Sequence, residues 1–192
     1  FNCELIKKYK IKNISTSLHY LKYLKDFIKD DQLKINSFIS YPLADLPKNF
    51  IKEMTEYAKE KGANGIEYVP KFFFLSENDE ESFASDIENI SNMDLPLTLI
   101  FNKNRLSKET FRRSIDISLE IGIKNFQFGD GFCPSLNTIE IDEIIKLIGN
   151  KCFIKIVGKI ISIQKAIEIF NLGVDAIGTS NYHKIFCEIK NN

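Results

Sequence analysis

Apolar residues fall into strand-sized runs separated by longer amphipathic segments, and this alternation predicts strands and helices in turn. Three of the predicted helices end in a glycine just before an apolar run, at Gly62, Gly122 and Gly173, and Gly149 repeats the pattern. A glycine just past a helix supplies the left-handed cap that other residues resist. The sequence is therefore expected to alternate helix and strand.

The same pattern gives bounds for each predicted element. Strands are predicted at 13–17, 34–41, 64–69, 97–102, 124–128, 152–157 and 175–178. Helices are predicted at 18–29, 47–61, 79–92, 107–121, 138–148 and 162–171. Ser107 is an expected N-cap with Thr110 at the third helical position, and Pro47 is expected in a first turn, because proline suits that position.

Repetition of a strand and a helix over roughly 20 to 30 residues predicts parallel strands covered by helices, in an open doubly wound sheet or a closed barrel. The segments PLTLIFN and KINSFIS are interpreted as apolar on both faces, which either architecture requires. No G-x-G-x-x-G follows the first strand and no G-x-x-x-x-G-K-[ST] occurs, which disfavours the nucleotide-binding open sheets. We therefore predict one α/β domain over residues 1–192, of the (β/α)8 TIM-barrel type.

Composition excludes several classes of function. The sequence carries 26 basic and 26 acidic residues, so no net charge points to nucleic acid or to an anionic membrane surface. The longest apolar runs are strand-sized, and a cytoplasmic protein is expected. The four cysteines lack C-x-x-C spacing, which favours reduced thiols over disulfides or a metal site.

In a barrel the residues after the carboxyl ends of the strands form the active site, and the last two loops commonly hold a phosphate. Gly158 would let the backbone approach an anion, and Gly178, Thr179 and Ser180 offer N–H and hydroxyl donors before a final short helix. In the alternative interpretation the glycines only make turns and Ser180 caps the helix. Both interpretations stay open on the residues alone.

Two ionisable residues near predicted strand ends are candidates for chemistry. Lys155 lies inside the apolar segment FIKIVGKI. A buried ammonium is unfavourable unless it is paired or discharged, so Lys155 is either less buried than the pattern suggests or a functional group. Asp130 lies between two glycines, where it is either an acid/base or ligand-binding residue, or a turn residue that tolerates positive φ.

The segments YP, KGANGIEYV, IKNFQFGDGF, FIKIVGKI and LGVDAIGTS occur in an order that resembles the deoxyribose-phosphate aldolases, a class I aldolase family with a (β/α) barrel. The resemblance runs from residue 14 to residue 180. The family's first strand would precede FNCELIKKYK, and seven strands are predicted where a closed barrel has eight. Either the first strand is missing from this sequence, or the barrel leaves an edge open or pairs it with another subunit.

The resemblance implies reversible aldol cleavage of 2-deoxyribose 5-phosphate through a lysine Schiff base, with no metal and no cofactor. That chemistry uses a neutral amine, a second cation that lowers its pKa, and an acid/base group. Lys155 matches the family's second lysine and Glu67 its acidic residue. The Schiff-base lysine matches Phe128 or, after a shift of one residue, Gln127, and neither can form an imine. Lys159 replaces a glycine of the phosphate loop and would add a cation there.

Two hypotheses follow for the function. In the first, the protein is a lyase acting on a phosphorylated aldose or small aldehyde. Lys155 then forms the Schiff base, Glu67 or Asp130 moves protons, and Gly158, Lys159, Gly178, Thr179 and Ser180 hold the phosphate. In the second, the protein has impaired or lost catalysis and persists as a phosphometabolite-binding or assembly protein, with a homodimer as one expected form. Loss of the nucleophile favours the second hypothesis, because positioning alone does not replace covalent catalysis.

Overall fold

The computed structural model describes residues 3–28, 32–132, 135–149 and 151–191. The chain divides into two compact units, Phe1–Leu99 and Ile100–Asn192. Each unit is built from parallel strands that alternate with helices, as the repeating pattern predicted. The prediction of one domain over the whole sequence stays a prediction.

The first unit contains four parallel strands in sequential order, of which the last runs two residues past its boundary. The strands are β1 (Asn13–Thr16), β2 (Lys34–Ile39), β3 (Gly65–Tyr68) and β4 (Leu97–Phe101). The helices are α1 (Cys3–Lys8), α2 (Leu18–Phe27), α3 (Lys48–Glu60), α4 (Phe73–Ser76) and α5 (Glu80–Ser91).

The second unit contains three further strands that pair in parallel and in sequential order. A single 3₁₀ turn, Lys103–Arg105, comes first. It is followed by α6 (Lys108–Glu120), β5 (Asn125–Phe128), α7 (Thr138–Ile148), β6 (Phe153–Val157), α8 (Ile163–Phe170), β7 (Ala176–Gly178) and α9 (Tyr182–Asn191).

All seven predicted strands and all six predicted helices are confirmed, with ends that differ by two residues or fewer. The four helix-ending glycines have positive φ, and Ser107 accepts a hydrogen bond from the Thr110 N–H at 3.0 Å. Pro47 precedes α3 rather than lying in its first turn. The helices α1 and α4 and the 3₁₀ turn were not predicted.

The interpretation of KINSFIS as apolar on both faces was wrong. Ser37 is fully buried inside β2, and Asn36, its neighbour, is half-buried and hydrogen-bonded to a carboxylate. β2 therefore carries polar side chains at buried and half-buried positions, where an apolar strand would carry none.

Both faces of β5 are buried. Phe126 and Phe128 form an aromatic cluster with Phe101 from β4 and Phe111 from α6, with ring centroids 5.7 to 6.4 Å apart. Because alternate residues of a strand point to opposite faces, Gln127 points away from this cluster. In the part of the chain that the structure describes, no helix has the length and apolar character needed to cross a membrane.

Candidate functional site

Gln127 on β5 and Lys155 on β6 lie directly side by side. They are Cα partners in the parallel register, so their side chains leave the sheet on the same face. The Gln127 Nε2 donates to the carbonyl oxygen of Gly129 at 3.1 Å, two residues further along β5. The Lys155 stem passes Gly178, where an added Cβ would lie 3.1 Å from Lys155 Cε. Both side chains therefore reach towards the carboxyl ends of their strands.

Gln127 is a buried amide with one half unsatisfied. Its side chain is 2% exposed, and its Oε1 has no hydrogen-bond partner among the residues that the structure describes. The Gly129 carbonyl can only accept, so the amide cannot turn over without placing two oxygens against each other. An acceptor is thus fixed on the face that Gln127 shares with Lys155.

Phe128 belongs to the aromatic cluster and not to this face of the sheet. It is fully buried, and its ring contacts Phe101 and Phe111 at centroid distances of 5.7 and 5.9 Å. A shift of one residue along a strand exchanges its two faces, which is why the sequence left Phe128 and Gln127 as alternatives. The packing places Gln127, and not Phe128, beside Lys155.

Asp130 follows β5 and is held by three donors. Its carboxylate is 3% exposed and accepts from Asn102 Nδ2 at 2.5 Å and from the Phe132 N–H at 2.9 Å. The guanidinium of Arg105 lies 3.2 Å away. These contacts join the turn after β4 to the turn after β5. Asp130 therefore orients Arg105, which is 41% exposed, at the carboxyl ends of the strands.

The loop residues proposed to bind phosphate are tied together by Thr179. Its Oγ1 donates to the Ile160 carbonyl oxygen at 2.7 Å and accepts from the Asn181 N–H at 2.9 Å. This joins the loop after β6 to the loop after β7. Gly158 and Lys159 both have positive φ, and Lys159 is exposed. The predicted helix after Ser180 is present as α9.

The N-terminus of α8 already faces a carboxylate. Ser162 caps the helix through the Lys165 N–H, and the Ile163 N–H donates to Glu188 Oε2 of α9 at 2.7 Å. A negative charge at this position complements the helix dipole. An anion held by the loops after β6 and β7 would therefore meet the N-terminus of α9 more favourably than that of α8.

Lys103, in the turn after β4, is engaged with α7. Its Nζ lies 3.2 Å from Glu140 and 3.4 Å from Glu143. Glu140 also forms a capping box with Asn137. The hydrogen bond from the Asn137 backbone N–H is the main cause of a Glu140 carboxyl pKa below its usual range. Lys103 adds to that lowering.

Glu67 lies in the first unit, on β3. It is 1% exposed, and its Oε1 accepts from Ser15 Oγ of β1 at 2.6 Å and from Asn36 Nδ2 of β2 at 3.2 Å. Three neighbouring strands thus contribute one polar group each. The arrangement holds the predicted acid/base carboxylate by hydrogen bonds in a buried position.

A second polar group follows Glu67 on β3. The Tyr68 hydroxyl donates to Asp86 Oδ2 at 2.7 Å, and the Lys71 ammonium lies 3.8 Å from the same carboxylate. Burial, with the Asp86 charge beside it, raises the pKa of Tyr68 well above its ordinary range. The tyrosine therefore stays protonated and anchors β3 to α5.

Comparison with known proteins identifies relatives by sequence. No family model matches the chain. A deoxyribose-phosphate aldolase of Caldicellulosiruptor saccharolyticus is 27% identical over 187 residues, which cover 93% of this chain and 84% of that protein. A deoxyribose-phosphate aldolase of Mycoplasmopsis pulmonis is 26% identical, with 91% of this chain and 81% of that protein covered. The chain is a relative of the deoxyribose-phosphate aldolases.

Solved structures of aldolases have the same fold. The aldolase QR15 matches with a TM-score of 0.88 at 19% identity, over 98% of this chain and 87% of its own. The tetrameric deoxyribose phosphate aldolase of Aeropyrum pernix matches with a TM-score of 0.84 at 18% identity, over 98% and 81%. These matches confirm the predicted α/β fold class of TIM-barrel type.

Sequence reasoning based on the deoxyribose-phosphate aldolase pattern missed three polar residues. Ser15 and Asn36 hold Glu67, and Arg105 pairs with Asp130. Ser15 and Asn36 are polar positions inside otherwise apolar strands, which is a readable signal. Arg105 had a weaker signal, because a basic residue in the loop NKNR is equally typical of a solvated surface.

Proposed function

We propose that this protein is a deoxyribose-phosphate aldolase-like protein that binds a phosphorylated sugar and has lost imine formation on β5. The observation that carries the proposal is the register pair of Gln127 and Lys155. A glutamine amide nitrogen shares its lone pair with the carbonyl, so it does not attack an aldehyde as a neutral amine does. Lys155 supplies the cation of the pair, but position 127 carries no nucleophile.

The remaining residues receive binding roles in this proposal. Lys155 contacts the sugar near C1, and Glu67 keeps a buried carboxylate that is already held by hydrogen bonds. Asp130 orients Arg105 towards an anionic ligand. The sugar class comes from the names of the relatives, which are deoxyribose-phosphate aldolases.

The phosphate group of the ligand is assigned to the loops after β6 and β7. Gly158, Gly178, Thr179 and Ser180 would offer backbone N–H groups, and Lys159 would add a charge. The hydrogen bond from Thr179 Oγ1 to the Ile160 carbonyl oxygen supports this proposal, because it connects the two loops before a ligand arrives.

The competing function is an active lyase in which Lys155 itself forms the imine. The passage of its stem beside Gly178, towards the strand ends, favours this alternative. In it, the amine would add to the aldehyde carbon and water would leave, with Glu67 or Asp130 moving the protons. A purely assembling role, a homodimer and a cytoplasmic location remain predictions.

Borohydride trapping separates these functions. The protein is treated with acetaldehyde or 2-deoxyribose 5-phosphate and then reduced, so that any imine becomes a stable secondary amine on the peptide that contains Lys155. We expect the native protein to carry no more label than the Lys155→Met variant, which measures the background labelling. An adduct at Lys155 would show that Lys155 forms the imine, which supports the lyase and contradicts the binding role proposed for Lys155.

Two further measurements complete that test. The Gln127→Lys variant should acquire a borohydride-stable adduct at position 127, because it restores an amine beside the Lys155 cation. Binding is checked by a ligand-dependent rise in Tm with 2-deoxyribose 5-phosphate, which a protein that binds only in its native state must show. An unchanged Tm at millimolar ligand would contradict the proposed binding.

A further inference from the structure

The Gln127 Oε1 is a buried hydrogen-bond acceptor without a donor among the described residues. Gln127 is 2% exposed, and none of the described residues donates a hydrogen bond to its Oε1. A buried polar atom without a partner is unfavourable, and such atoms in native proteins commonly face a ligand or water. The atom lies on the face of the sheet that carries Lys155, at the same register.

The direction of this acceptor is fixed by the backbone behind it. The Gln127 Nε2 is held by the Gly129 carbonyl oxygen at 3.1 Å. Gly129 in turn donates its N–H to the Phe101 carbonyl oxygen at 2.8 Å. A Cβ at Gly129 would lie 1.9 Å from the Val157 carbonyl oxygen, so this backbone cannot accept any other residue without moving. The site therefore presents an oxygen rather than an N–H.

An oxygen acceptor beside an ammonium discriminates between the forms of a sugar. An aldehyde carbonyl can only accept hydrogen bonds, so it would satisfy Lys155 and leave two oxygens facing each other at Gln127. A hydroxyl can donate to Gln127 and accept from Lys155 at once. An aldose phosphate in water is mainly a ring whose C1 carries such a hydroxyl.

We propose that the site selects the cyclic hemiacetal of a phosphorylated aldose, with the C1 hydroxyl donating to Gln127 Oε1, and excludes the open aldehyde. This inference rests on the proposed function, since it takes the phosphorylated sugar from it. It also gives the glutamine a positive role. Gln127 is a specificity residue for the ring form, and the site it builds binds the very species that cannot form an imine.

A matched pair of ligands tests the proposal by calorimetry on the unmodified chain. The pair is 2-deoxyribose 5-phosphate and 1,4-anhydro-2-deoxyribitol 5-phosphate, which has the same ring and phosphate but no C1 hydroxyl. We expect the anhydro compound to bind about ten- to a hundredfold more weakly, the range for leaving a buried polar group unpaired. In the Gln127→Met variant this ratio should fall to the part that the Lys155 contact alone contributes, whereas Gln164→Met, at an exposed glutamine of α8, should keep it in full.

The failures are distinguishable. Equal binding of the two ligands to the native protein would overturn the hydroxyl contact and leave the proposed sugar binding intact. Binding of neither ligand would overturn both. A second measurement does not depend on any variant: with sugar labelled by ¹³C at C1, the bound resonance should be that of a hemiacetal carbon. An aldehyde or imine resonance would overturn the selection of the ring form.

Discussion

The two faces of β5 are buried to nearly the same depth, yet they are held in opposite ways. Phe126 and Phe128 are fully buried and are surrounded by other rings. Gln127 is 2% exposed, and half of its amide has no partner among the described residues. Depth of burial alone does not distinguish the two faces, whereas the satisfaction of their polar atoms does.

The largest expected effect comes from breaking the aromatic face. Phe128→Ala removes a fully buried ring and should lower the free energy of unfolding by about 3–5 kcal/mol in a denaturant titration. Phe132→Ala, at a ring that is 67% exposed, is the matched control and should change it by under about 0.5 kcal/mol. Equal effects of the two substitutions would place Phe128 outside the core.

The turn beyond β5 should give the next largest effect. Asp130→Asn keeps an oxygen but removes the charge that Arg105 and Asn102 contact. We expect a loss of about 1.5–3 kcal/mol, the range for hydrogen bonds to charged groups. Asp116→Asn, at an exposed position of α6, is the control. A loss no greater than that of the control would show that the three contacts do not hold the turn.

The polar face should respond in the opposite sense to the aromatic face. Gln127→Met removes the unpartnered oxygen, worth about 1–3 kcal/mol, and also the Nε2 bond to Gly129, worth about 0.5–1.5 kcal/mol. The difference predicts a ligand-free protein whose stability lies between about 0.5 kcal/mol below and about 2.5 kcal/mol above that of the native protein. Chemical denaturation measures it, and a marked loss of stability would mean that the buried oxygen is already satisfied.

The smallest effect is expected at Glu140, a partly exposed group whose hydrogen bonds are satisfied. Glu140→Gln keeps the capping geometry but removes the charge, which should cost about 0.3–1 kcal/mol at neutral pH. The pKa of the Glu140 carboxyl is lowered from its ordinary 4.5 in the folded protein. Its contribution is therefore complete above pH 4.5 and is lost as the pH falls through the folded-state pKa. The native protein and the variant should then unfold alike in acid, and a difference that persists there would contradict this origin.

Most of the fold could be predicted because residues typical of the ends of helices and strands occur in the sequence. Glycines with positive φ closed four helices, and Ser107 opened another. The four-residue helix α4 was not predicted because Phe73 and its neighbours have neither a capping side chain nor a helical pattern of apolar residues. Length gives a pattern its reliability, and α4 has only one turn.

The site was predicted less completely, for a geometric reason. Lys155 was found because a charge inside an apolar strand is conspicuous. The choice between Phe128 and Gln127 depends on which face of β5 looks at α6, and a sequence of alternating large residues does not show this. The contact of Arg105 with Asp130 joins residues on two loops, so no local spacing predicts it.

The side-by-side register of Gln127 and Lys155 has an evolutionary consequence. The codons of glutamine and lysine differ only in their first base, so one point mutation would return an amine to the strand. Gly178 still leaves room for the Lys155 stem, and the register needs no rearrangement. On the proposed function, a single base change therefore separates a sugar-binding site from one that carries an amine on both strands.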